Sequence, residues 1–173
     1  MAIELIAHTE AGSGGASNIE FTSIPGTYDD LWILLSTRVA GGVYIVNNRI
    51  RFNGDTGSNY SRTALYVYSN VSSSSRSSNG TGVLYGVEPG ATATANVFGN
   101  SSIYIPQYAN TNSYKQFISD TAPPNNSASD WQNEYVAGLW RSTSAITSIT
   151  LTPDNNNFDV GSVFALYGIK KAD

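Results

Sequence analysis

Few residues in this chain could carry reaction chemistry. Cysteine is absent and histidine occurs once, at His8. Thiolate nucleophiles, disulfides, cysteine-held zinc and iron–sulfur clusters are therefore excluded, as is a multi-histidine metal site. A Ser-His-Asp triad would have to be built on His8 alone. His8 closes an alternation of Ile3, Leu5 and Ala7 with Glu4, Ile6 and His8, where a solvent-facing or hydrogen-bonded structural role is expected. Asp29-Asp30 is the one adjacent acidic pair that a paired-carboxylate hydrolase could use. Neighbouring strand residues point to opposite faces, so these two cannot flank one glycosidic bond together. The oxygen-rich run Asp154-Asn155-Asn156-Asn157-Phe158-Asp159 lacks the glycine and glutamate of an EF-hand, because its sixth and twelfth positions are Asp159 and Ala165. It reads as a turn whose asparagines bond their own backbone. The expectation is a non-enzyme with no cofactor and no metal.

The aromatic residues offer binding rather than catalysis. There are eleven tyrosines and three tryptophans. Trp32 and Trp140 lie inside strand patterns and are expected in the core. Trp131, Tyr108 and Tyr60 stand at loop edges, where a ring could meet a partner or a glycan. Arg76 is the single cation of a serine-rich run and joins them as a candidate contact.

The surface these residues decorate is unusual. Of 173 residues only 13% are charged, with nine Lys+Arg against thirteen Asp+Glu and a net charge of −4. Ser, Thr and Asn make up 55 positions. An acidic chain with scattered cations is a poor nucleic-acid binder. No apolar run approaches the ~20 residues that span a bilayer, and Met1 to Gly12 lacks the pattern of a secretory signal. Five Asn-x-Ser/Thr sequons are close to what this composition gives by chance.

Period-2 alternation dominates the elements. Ile3, Leu5 and Ala7 predict a first strand with one buried face, and Leu31 to Leu35 predicts a central strand. Val43–Val46 and Arg49–Phe52 flank Asn47-Asn48 as a predicted hairpin. Asn53-Gly54-Asp55-Thr56-Gly57 is the strongest turn signal, and Asn70 to Gly82 reads as a long polar loop. Later segments include the small-residue run Ala91 to Ala95, Ile146 to Thr152 and a closing strand over Val163 to Ile169. About ten short strands without a 3.6-residue period predict one all-β domain over 1–173, an antiparallel jelly-roll-like β-sandwich with little helix.

Three passages taken together resemble a known family. They are Phe21-Thr22-Ser23-Ile24-Pro25-Gly26-Thr27-Tyr28-Asp29-Asp30-Leu31, Arg51-Phe52-Asn53-Gly54-Asp55-Thr56-Gly57-Ser58-Asn59-Tyr60, and Gly161-Ser162-Val163-Phe164-Ala165-Leu166-Tyr167-Gly168-Ile169-Lys170. In this order they resemble small virion structural proteins of tailed bacteriophages, especially phages of aquatic bacteria including cyanobacteria, over residues 3 to 171. The resemblance implies a capsid decoration (cement) protein, packed on the major capsid protein of the expanded head after assembly in the host cytoplasm. It favours a trimer and carries no catalytic residue. The alternative is a tail or fibre module that binds host surface glycan. On the decoration reading, the anchoring segments are expected to be mobile in the free protein: Glu10 to Ser17, Asn70 to Gly82, and Thr121 to Trp131, with Trp131 the aromatic anchor.

Overall fold

The computed structural model describes residues 1–127 and 130–171. It contains twelve strands and no helix. In chain order they are β1 (Ala2–Glu10), β2 (Ile19–Phe21), β3 (Asp30–Thr37), β4 (Ile45–Phe52), β5 (Tyr60–Tyr68), β6 (Val71–Gly80), β7 (Val83–Pro89), β8 (Gly99–Pro106), β9 (Lys115–Ala122), β10 (Gln132–Trp140), β11 (Ile149–Pro153) and β12 (Val163–Lys170). They form an unequal antiparallel sandwich. One sheet has eight strands in the order β1-β12-β3-β8-β9-β10-β5-β6, and the other has four in the order β2-β11-β4-β7. The all-β, antiparallel sandwich expected from the alternation is what the chain forms.

The core lies between the sheets as one cluster. Leu31, Ile33 and Leu35 of β3, Ile103 and Ile105 of β8, Phe117 and Val136 face Val46, Ile50, Phe52, Tyr85, Ile149 and Leu151 of the smaller sheet. The run Leu31 to Leu35 lies on β3, an interior strand between β12 and β8. Only its odd-numbered residues reach the core. Trp32 and Leu34 project from the other face and are half-buried, so Trp32 is not the core residue expected. Its indole N–H donates instead to Ser102 Oγ at 2.9 Å. Trp140 is core, stacked on Tyr60 with centroids 6.3 Å apart.

Four further expectations give way to tertiary context. Asn70 to Gly82 is not a loop, because Val71 to Gly80 forms strand β6 along β5. Ser69 and Asn70 adopt φ of 46° and 69°, the positive pair of a two-residue hairpin turn, and this registers the serines against β5 despite their weak strand preference. Val43 to Phe52 is not a hairpin. Asn47 and Asn48 run on inside β4, which pairs with β11 on one side and β7 on the other, with a bulge beside Asn48. The face of β1 carrying Ile3 and Leu5 is exposed, at 48% and 56%, since it is the side of the larger sheet turned away from the smaller one, while Ile6 and Ala7 pack against the core. Ala91 to Ala95 forms turns rather than a strand. Buried Arg38 gathers it by donating to the carbonyls of Thr94 and Val97, both at 2.9 Å, and of Ala91 and Ala93, both at 3.2 Å.

Candidate interaction face

The smaller sheet covers only one face of the larger. The opposite face of the eight strands is open over most of its width; at the start of β3 the Gln107 main chain and Lys171 lie against Asp30. Its side chains follow from the register. One line of directly paired residues begins at Leu5 and passes through Tyr167, Trp32, Tyr104 and Ile118. It continues through Ala137 and Thr63 to Arg76 on the far edge. The next line starts at His8 and Ala165, crosses Leu34 and Ser102, and reaches Asp120. From there it runs through Tyr135 and Leu65 to Ser74. Leu65 is 61% exposed, Tyr135 47% and Ile118 43%. The outward face of the smaller sheet is of opposite character. Glu20, Thr150 and Arg51 share one line there, Thr152 pairs with Arg49, and Arg49 meets Asp154 at 2.9 Å. Exposed apolar area of this breadth is a common mark of an interaction surface.

Relief on this face comes from side-chain size. Small residues on β6 and β9 leave one groove of about 550 Å³, and small residues on β8, β9 and β12 a second of about 400 Å³. Asp120 and Ala122 border both, so the grooves join into one trough. A third hollow of about 240 Å³ lies between Tyr104, Ile118 and Ala137. The Tyr104 end is fixed by Asp30, whose carboxylate accepts from the Tyr104 hydroxyl at 2.7 Å and from the Gln107 N–H at 2.9 Å. Burial opposes charge on Asp30, but those donors and Lys171, 3.2 Å away, together hold its pKa below the usual carboxylate value. The hydrogen bond to Asp30 pushes Tyr104 up to about 12.

The candidate contacts divide. Tyr60 and Tyr108 are fully buried, which removes both as partner contacts. The Tyr60 hydroxyl accepts from the Phe52 N–H at 3.1 Å and donates to Asp55 O at 3.2 Å, pinning the turn of Asn53 to Gly57. The Tyr108 hydroxyl donates to the Pro25 carbonyl, fastening a second turn. Both rings flank turns because they fasten them. Trp131 is half-buried just before β10, and its carbonyl accepts from the Ser69 N–H at 3.1 Å. Arg76 is exposed at the edge of the open face. Of the four, Arg76 alone lies in the lines of that face.

The segments expected to be mobile anchors are tied down where described. The Ala11 N–H donates to Ser162 O at 2.8 Å, and Ala16 bridges Phe158. Asn125 accepts from the Thr94 N–H at 3.1 Å and donates to Asp130 O at 2.6 Å. Ala128 and Ser129, within the third segment, lie outside the described residues, as do Ala172 and Asp173 in the expected tail.

The acidic motifs serve structure. Asp29 accepts from the Lys171 N–H at 2.7 Å. Asp154 pairs with Arg49, and Asp159 lies 3.8 Å from Arg38. Among the described residues no three metal-ligating side chains come together. Asp55, unremarked in the sequence beyond its turn, accepts from Trp140 Nε1 at 2.6 Å, Asn59 Nδ2 at 2.9 Å and the Gly57 N–H at 2.7 Å. The Trp140 bond, then the Asn59 bond, lowers its pKa.

No family model, curated protein or solved structure matches the chain.

Proposed function

We propose that this chain is a structural protein of a tailed-phage virion, a decoration protein that lays the open face of its eight-stranded sheet on the major capsid protein. One observation carries the reading: a face that carries apolar side chains on seven adjacent strands, on a surface otherwise poor in charge, is left largely uncovered by the described residues. A cement subunit needs a broad, largely uncharged docking area of this kind, and many copies on a shell turn a modest contact into firm attachment. The two antiparallel layers suit the jelly-roll-like architecture that the family resemblance implies, and a trimeric state belongs to the same proposal.

Copy number tests it. Particles of the phage that encodes the chain are purified, and the protein is quantified by mass spectrometry against the major capsid protein. Hundreds of copies per particle are expected. A few copies, or a few tens, would overturn the head location in favour of a tail or fibre module.

A further inference from the structure

The trough across the open face has a definite length, floor and charge. It runs from Ser72 on β6 to Val163 on β12, crossing seven adjacent strands. Six strand spacings of about 4.8 Å make it about 29 Å long, perpendicular to the strands. Its lining is predominantly carbon, from Leu65, Tyr135, Ala122 and Leu34 among others. Asp120 stands at its middle, where the two grooves meet. Its carboxylate is exposed, and no cationic side chain among the described residues pairs with it. Asn100 and Asn133, both exposed, border the trough on either side of β9.

We infer that this trough receives an extended, mainly apolar segment of a partner protein that carries one lysine or arginine side chain opposite Asp120. Length and shape suit an extended chain of about nine residues at ~3.3 Å each. The carbon lining takes its apolar side chains, and the flanking asparagine amides can bond a main chain that crosses the strands rather than pairing with them. The lone carboxylate sets the register. An anion there meets repulsion, while a guanidinium or ammonium gains a charge-assisted hydrogen bond in surroundings less polar than water. A glycan would have to draw its hydrogen bonds from polar side chains such as Ser36, Asn100, Ser102, Asn133 and Asp120, between stretches of carbon surface, and the competition below tests it. The inference rests on reading the open face as the docking surface, and not on the head location.

A displayed library of random nine-residue peptides, selected on the whole protein, tests it. Enriched peptides are expected to be apolar with one Lys or Arg. They should bind Asp120→Asn about tenfold or more weakly, while that variant keeps the parent melting temperature. Selection on Asp120→Lys should return peptides with Asp or Glu at the same place. The inference is overturned if no basic residue is enriched, if Asp120→Asn binds the peptides like the parent, or if chitohexaose or maltohexaose displaces them. Virion copy number is independent of all three readouts, so either proposal can fail alone.

Discussion

Replacing Glu88 with glutamine should change how stability depends on pH, because the environment of Glu88 favours the neutral acid. Glu88 lies between the sheets on β7 with no solvent exposure. One carboxyl oxygen accepts from the Ser101 hydroxyl. The other has no hydrogen bond, nor has the nearby Thr37 hydroxyl. Burial pushes its pKa from 4.5 up to about 8, against the smaller opposing effect of the Ser101 hydrogen bond. Between those two values the native chain holds a proton that the unfolded chain has released. The stabilising contribution is therefore complete below about 4.5 and is lost as pH rises through about 8. At ~1.36 kcal/mol per pH unit, the 3.5-unit span amounts to on the order of 5 kcal/mol. Glutamine keeps the shape and cannot ionise. Urea melts of parent and Glu88→Gln, taken from pH 5 to 9, give the comparison. Near pH 5 the two should lie within about 1 kcal/mol, since a neutral acid and an amide differ little there. By pH 8.5 the variant should be several kcal/mol more stable. Titration elsewhere, of Glu134 for instance, is common to both proteins and drops out of the difference. A difference that stays constant across the range refutes the reasoning.

The other predictions concern packing. Trp140→Ala should cost ~3–5 kcal/mol by calorimetry, whereas half-buried Trp32→Ala on the open face should cost only about 1–2 kcal/mol; equal losses would contradict the assignment of faces. Arg38→Ala leaves four main-chain carbonyls without their shared donor and should cost about 3–5 kcal/mol, with amide exchange rising first in residues 91–97. Gly138→Ala sets a methyl group into the Phe117 ring and should lower stability by about 1–3 kcal/mol, a loss that Phe117→Leu partly relieves in the double variant.

The fold is more legible in the sequence than the open face is. Alternation locates strands, and turn chemistry such as Asn53-Gly54 ends them; both are local. Which face of a sheet is covered is not local. Leu31, Trp32, Ile33, Leu34 and Leu35 are all apolar, so period-2 reasoning cannot tell that Ile33 is in the core while Trp32 looks outward. The same limit applies to β1, whose Ile3 and Leu5 alternate correctly onto a face that nothing covers. Tyr60 and Tyr108 misled for a related reason. A tyrosine beside a turn looks exposed in the sequence, but its hydroxyl reaches back to main-chain groups of that turn and draws the ring inside. Serines 72 to 78 read as loop because side-chain preference is all the sequence offers there, while the strand is set by pairing with β5. Asp120 gave no signal at all. Only pairing with Ser102 on one side and Tyr135 on the other places it at the middle of the trough.

The place of β1 in the larger sheet also bears on synthesis. Ala2 to Glu10 pairs with a single strand, β12, which spans Val163 to Lys170 at the other end of the chain. As the chain leaves the ribosome, its first strand emerges about 160 residues before its partner. At ~5–20 residues per second that is a wait of roughly ten to thirty seconds. Throughout it, the main-chain groups of β1 have only water or a chaperone to bond, and Ile3 and Leu5 stay uncovered. β3, at the centre of the sheet, pairs with the same late strand on one side and with β8 on the other. Sheet closure is thus tied to release of the C-terminal strand, and a ribosome stalled before residue 163 would hold a sheet open at β3.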